Sequence, residues 1–270
     1  MRIRTAWLAA LLATAALAAP AAEDVPFVVT PDNVTLAMLN LAKVSSEDYL
    51  IDLGSGDGRI VLTAAKRFGA RGLGVEIVPE LVEKSRAAAR NMNIENRAHF
   101  REQDLFKTDL SPASVVTMYL LPEVNLQLRP RILALRPGTR VVSHDWDMGD
   151  WEPDKTITLD VPDKSVGLEK RSKVHLWLVP ARIEGDWCGT GKAKGVNLRL
   201  AQMHQKFRGQ LNDATGSRDF EGRIAGYVLR GPQGLNMTFD GTRIKATYAA
   251  GKYSAFKNAT FARQRGQSCK

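Results

Sequence analysis

Asp52, Gly54, Ser55, Gly56, Asp57 and Gly58 fall within one short run, directly after the apolar residues Leu50-Ile51. A carboxylate at the end of a strand, followed by glycines, brings negative charge and bare backbone up to a polar ligand. Glycine permits positive φ and lacks the Cβ that would block close approach. Strand, glycine-rich turn and helix make a ligand crevice at the carboxyl ends of a doubly wound sheet. A dinucleotide fingerprint would need a third glycine at position 59, which is Arg59. Asp52, two residues ahead of Gly54, suits a cationic amino-acid end better than a pyrophosphate.

A nucleoside that carries an ammonium and a sulfonium but no phosphate is S-adenosylmethionine (SAM), and the next carboxylates agree with it. Glu76 closes the apolar stretch Arg71–Ile77, eighteen residues after Gly58, where an acid can accept both ribose hydroxyls. Asp104 and Leu105 follow a third run, His99–Gln103, and are placed to meet the adenine. Tyr119 ends a fourth apolar run, Ser114–Pro122, as either a wall of the transfer channel or a core tyrosine. It is the one catalytic candidate. Ser143–Trp151 holds His144, which could accept a proton, and three aspartates whose spacing matches no metal loop. A capped, solvated loop is expected there, and no metal site. Asp186, His204 and Asp213 read as surface polar groups.

Asp52 to Gly58, Glu76, Asp104 and the turn Leu135-Arg136-Pro137-Gly138 resemble the motifs of class I SAM-dependent methyltransferases over roughly residues 27–180. Pro26–Pro31, Asp52–Val61 and Tyr119–Glu123 are similar to a narrower subgroup, the seven-β-strand lysine methyltransferases with mitochondrial members. The resemblance implies a Rossmann-like seven-stranded sheet with helices on both faces and SAM as cofactor. It further implies that Asp52, Gly54, Gly56, Asp57 and Gly58 hold the methionine end, Glu76 the ribose, and Asp104 with Leu105 the adenine. Protein lysine is the favoured acceptor. No Asn-Pro-Pro-Tyr run is present, which disfavours enzymes that methylate planar or amide nitrogens. Methyl transfer mainly requires positioning and exclusion of water, so the lack of a nucleophilic triad is expected.

These groups need strands alternating with helices. Helices are expected over Asp32–Lys43, with Thr30 or Asp32 as cap, and over Gly58–Phe68, Pro79–Met92 and Pro122–Leu135. Lys155–Val161 and Lys173–Val179 alternate as a hairpin that would complete the sheet. Beyond Pro180 the pattern changes to short period-two runs between glycine turns: Val196–Leu200, Arg223–Leu229, Leu235–Phe239 and Thr242–Tyr248. A small antiparallel β-sheet or barrel of about 85 residues follows.

At 270 residues and 44% hydrophobic content the chain can bury two cores. Residues 23–180 form the expected methyltransferase domain and 181–270 a basic all-β domain. Met1-Arg2-Ile3-Arg4, an uncharged Thr5–Ala22 and small-x-small sites at Ala16–Ala21 read as a secretory signal peptide over residues 1–22. Export to the periplasm or beyond is expected, an uncleaved membrane anchor being the alternative. No other stretch is long and uncharged enough to span a bilayer, so none is expected in the mature chain. Cys188 and Cys269 would form a disulfide in an exported protein and free thiols otherwise.

Sixteen Lys+Arg face six Asp+Glu in residues 181–270, so this part carries the whole excess of +9. That favours an acidic partner. The cations are dispersed and not interleaved with aromatics, which disfavours nucleic acid. Two other classes stay open: an exported binding protein whose basic domain docks to an acidic envelope partner beside a vestigial fold, and a small-molecule or lipid methyltransferase.

Overall fold

A computed structural model describes residues 28–165, 169–232, 234–264 and 269, so the expected signal peptide lies outside the described residues. The first unit runs α1 (Asp32–Leu41), β1 (Tyr49–Leu53), α2 (Arg59–Phe68), β2 (Arg71–Glu76), α3 (Pro79–Asn91), β3 (Ala98–Glu102), β4 (Val115–Met118), α4 (Pro122–Ile132), β5 (Arg140–His144), β6 (Lys155–Asp160) and β7 (Arg171–Leu178). The seven strands lie in the order β3-β2-β1-β4-β5-β7-β6. β1 to β5 are parallel, while β7 pairs antiparallel with both β5 and β6.

Strand periodicity divides the core in two. Leu50, Val115 and Val142 pack beneath Val34, Met38, Val61 and Val82 of α1, α2 and α3. Their neighbours Ile51, Val116 and Val141 face the other way, against Leu128 and Ile132 of α4. Central strands buried on both faces read as unbroken apolar runs, as Leu50-Ile51 and Val115-Val116 do. This is the expected α/β architecture.

The glycine turn is shaped by what surrounds it. Gly58 precedes α2 with φ +79°, and a Cβ there would sit 2.6 Å from Phe100 and 2.7 Å from Ser85 Oγ. Only glycine fits. The expected cap on α1 is absent: Pro31 takes the N-cap position with no side-chain bond, and Thr30 Oγ1 turns inward to His144. α1 ends at Leu41 and α4 at Ile132, short of the expected Lys43 and Leu135.

The second unit comprises β8 (Gly185–Thr190), β9 (Asn197–Met203), β10 (Lys206–Asp213), β11 (Gly216–Ala225), β12 (Val228–Arg230), β13 (Leu235–Phe239), β14 (Arg243–Ala249) and β15 (Thr260–Arg263). Each pairs antiparallel with the next, and β15 returns to β8, closing a barrel. Closure removes the unpaired edges that an open sheet would expose. Within Arg223–Leu229, parts of which alternate in the sequence, the chain turns back as a hairpin. Ala225 faces Val228, and the two-residue loop relies on Gly226 at φ +58°.

The barrel interior is filled. Trp187, Phe207, Phe220, Tyr253 and Phe261 are buried there. A Cβ on Gly209 would meet Phe220 at 2.3 Å, and one on Gly222 would meet Phe207 at 2.6 Å. A disulfide joins Cys188 of β8 to Cys269, 81 residues on.

The two units meet along the segment between β5 and β6. Glu152 pairs with Lys206 at 2.6 Å and Arg223 at 3.6 Å, and Arg223 also reaches Asp154 at 3.7 Å. His204 lies 3.4 Å from Asp150. Lys206 and Arg223, two of the barrel's cations, are thus engaged with the first unit. No helix among the described residues is long and apolar enough to cross a membrane.

Candidate active site

The carboxyl ends of β1, β2, β4 and β5 converge on one edge of the sheet, where the glycine turn leaves β1. The turn is folded onto β2: the N–H groups of Gly54 and Ser55 both donate to Val75 O, at 3.0 and 2.9 Å. Gly54 and Gly56 have φ of +69° and +53°, and a Cβ on Gly54 would press on Leu120 at 2.9 Å.

Asp52 is 2% exposed, and its Oδ1 accepts from Thr117 Oγ1 at 2.7 Å. Burial pushes its carboxyl up to about 7, against the Thr117 bond and aided by the charges of Glu76 and Asp57. No basic side chain among the described residues forms an ion pair with it. Glu76 receives Gly56 N–H on Oε2 at 2.9 Å, and those of Ile77 and Val78 on Oε1 at 2.8 and 3.1 Å. It therefore ties the end of β2 to the turn and stands beside Asp52.

Asp104 and Leu105 lie after β3, as the order of the strands requires. Asp104 caps a short 3₁₀ turn over Leu105–Lys107 by accepting from Phe106 N–H at 2.8 Å. Asp57 lines the small cavity beside Asp52. Arg59 grips the Asp57 carboxylate through Nε at 2.9 Å and Nη2 at 2.7 Å. Burial works against ionisation there, yet the Arg59 guanidinium holds the Asp57 carboxyl below its usual range. Arg59 Nη1 also donates to Thr30 O at 3.0 Å and pairs with Asp32 at 3.3 Å. Asp57 and Arg59 thereby strap residues 30–32 across the turn.

Two cavities meet here. A small one, lined by Thr30, Asp52, Gly54, Ser55 and Asp57, has a volume of about 30 Å³. The other, about 640 Å³, is lined by Pro31, Asp32, His144, Val161 and Lys164 among others. Val28, Arg59 and Tyr119 border both.

The half-buried Tyr119 stacks on His144 with ring centroids 3.9 Å apart. Burial raises its phenol, and the Asp145 charge adds to this. The solvated-loop expectation for Ser143–Trp151 is corrected at both ends: Ser143 and His144 belong to β5 and are buried, and Met148 and Trp151 are buried in the core. His144 Nε2 lies 2.9 Å from Ser172 Oγ, and Nδ1 lies 3.4 Å from Thr30 Oγ1. Burial drives the His144 imidazole down to about 4, so it is neutral at pH 7.

Sequence reasoning passes over Thr117 and the strap role of Arg59, and reads Thr30 only as a helix cap. Arg59 counts there only as a missing glycine, although a basic residue two positions after Asp57 is a usable signal.

The residues suit SAM. A buried carboxylate without a cation calls for an ammonium, and Ser55, which lines the same small cavity, has a buried Oγ with no partner. Sheet order, reversed last strand, glycine turn and acid-tipped strands together define a class I SAM-dependent methyltransferase. Residues 52–155 match the ANTKMT methyltransferase domain. Over 138 residues the chain is 44% identical to a protein-lysine N-methyltransferase of Saccharolobus islandicus, covering 50% of this chain and 86% of that protein. The chain belongs to this methyltransferase family. A mouse adenine nucleotide translocase lysine N-methyltransferase is 38% identical over 106 residues, 38% of this chain and 46% of the mouse protein. A solved RNA methyltransferase from Salinibacter ruber, in complex with S-adenosyl-L-homocysteine, shares 49% identity at TM-score 0.53. That match covers 58% of this chain and 96% of the other.

Proposed function

We propose that this enzyme methylates the ε-amine of a lysine in a protein. The observation that carries this is the 640 Å³ cavity sharing Tyr119, Arg59 and Val28 with the cofactor cleft, so an acceptor reaches the cleft past Tyr119. Relatives named as lysine N-methyltransferases support it. Bound SAM supplies an electrophilic methyl group on a sulfonium. The Asp52 carboxylate would hold the ammonium of its methionine end, and Glu76 the ribose. Gly54, Gly56 and Gly58 would let the backbone approach. Asp104 and Leu105 would border the adenine, with Asp104 held still by its own turn. The Asp57–Arg59 strap would keep residues 30–32 over the site and so exclude water. Tyr119, backed by the neutral His144, would wall the channel on the acceptor side; a desolvated channel favours the neutral amine that must attack.

Purified enzyme given tritiated-methyl SAM and cell fractions should place label in protein, with methyl-lysine found by mass spectrometry. Label removed by ribonuclease would overturn the proposal in favour of an RNA acceptor, the substrate class named for the Salinibacter relative.

Residues 1–22 would direct export. The Cys188–Cys269 bond supports this, because disulfides persist in oxidising compartments. N-terminal sequencing of the fractionated protein should then begin between Ala19 and Glu23; soluble cytosolic protein retaining Met1 would refute it.

A further inference from the structure

Asp145 follows His144 at the end of β5 with φ +62°. A non-glycine residue in this left-handed region costs energy, and such residues gather at functional sites. The backbone of β7 holds it there: Asp145 N–H donates to Lys173 O at 2.7 Å, and Oδ1 accepts from Lys173 N–H at 2.9 Å. The second oxygen, Oδ2, faces His144 Nε2 at 3.5 Å and Lys164 Nζ at 2.7 Å. The Asp145 side chain is only 15% exposed.

Lys164 comes from the β6–β7 hairpin, and its side chain, 12% exposed, lines the same large cavity as Tyr119 and His144. Among the described residues its ammonium has one other partner, the carbonyl of Arg171 at 2.6 Å. The carboxylate therefore stands one ring beyond Tyr119, through His144, and already holds an alkylammonium. A lysine from another protein offers the same stem and the same charge. Exchanging one for the other keeps the charge-assisted bond and frees a long side chain to enter water.

We infer that Asp145 receives the ammonium of the incoming acceptor lysine, and that Lys164 holds this place until the acceptor displaces it. Resting on the proposed lysine acceptor, this assigns the contact that selects a cationic side chain before transfer. Asp145 is a specificity-determining residue, and Lys164 an internal competitor.

The test uses n-butylammonium chloride as the probe, titrated by calorimetry onto the full chain loaded with S-adenosylhomocysteine. Lys164→Met keeps the buried stem and removes the competing charge, so it should tighten n-butylammonium binding about tenfold. Asp145→Asn should abolish it, since asparagine tolerates the left-handed backbone and retains Oδ1 as acceptor. Cofactor affinity should stay at the wild-type level in both variants, because neither position lines the small cleft. Equal n-butylammonium affinity in wild type and Lys164→Met overturns the inference, even should Asp145→Asn fail to fold. Wild-type binding by a folded Asp145→Asn overturns it too. Methyl-lysine product with unchanged n-butylammonium affinities sinks this inference alone, whereas label on a different acceptor sinks the lysine proposal.

Discussion

Replacing Asp52 by alanine should weaken SAM binding at least about a hundredfold, and acid should do the same, reversibly, to the wild type. Taking one partner from a buried ion pair costs about 3–5 kcal/mol, or roughly two to three and a half decades of affinity. Glu76→Ala should have an effect of similar size, removing both the ribose acceptor and the bond that fixes Gly56. Neither change should unfold the chain, because neither side chain belongs to the two apolar cores.

The pH dependence follows from the raised Asp52 carboxyl, at about 7 against an ordinary 3.8. A bound ammonium favours the ionised form, so binding below pH 7 must expel a proton. Affinity should then fall about tenfold for each pH unit below 7. Above about pH 8 the ligand's own amine loses its proton, and affinity should decline again. The free protein behaves oppositely. Its folded state binds the Asp52 proton more tightly than the unfolded chain. That contribution to stability is full below about 3.8 and is lost as pH rises through about 7. Calorimetry between pH 5.5 and 8.5 checks both arms. A flat binding profile, or wild-type affinity in either variant, would remove Asp52 and Glu76 from the site.

Much of the first unit is legible in the sequence because its signals are local. An apolar run ending in an acid, then glycines, specifies a strand and a turn without reference to distant residues. So Asp52, Glu76 and Asp104 can be ordered along one sheet edge from the sequence alone. What escapes depends on partners far away in the chain. Thr30 sits 114 residues from His144, and Ser172 sits 28 from it, and together they make a buried histidine out of a polar run. Asp57 reads as a ligand for the cofactor because it lies in the turn. Its carboxylate lines the small cavity and also takes Arg59, a pairing that the turn's sequence does not announce. The barrel is legible as short alternating strands, but the sequence does not choose between an open sheet and a closed ring. β10 (Lys206–Asp213) and β8 (Gly185–Thr190) carry Gly209 and Gly189 inside their runs, which blurs the alternation. Those glycines are there because Phe220 and the backbone of Ala193 fill the space a side chain would need.

Reducing the Cys188–Cys269 bond, or replacing both residues by serine, should destabilise the barrel selectively. Closing a loop of this size removes enough freedom from the unfolded chain to stabilise by about 4 kcal/mol in the chain-entropy account. For a domain of this size that corresponds to a fall of roughly 15 °C or more in the barrel's Tm. The bond's position reinforces its effect. β15 closes the ring through four register pairs with β8, Thr260 to Arg263 against Thr190 to Trp187, and Cys188 lies within that seam. Arg263 stacks over Trp187 at 4.5 Å on the same seam, so fraying there would open the barrel core to water. The α/β unit keeps its own two cores and contains no cysteine, so its transition should move little. Differential scanning calorimetry with and without reductant should therefore separate one endotherm into two. A single transition shifting as a whole would mean that the seam of Glu152 and Asp154 with Lys206 and Arg223 joins the units into one cooperative body. An unchanged trace would mean that the ring holds without its covalent tie.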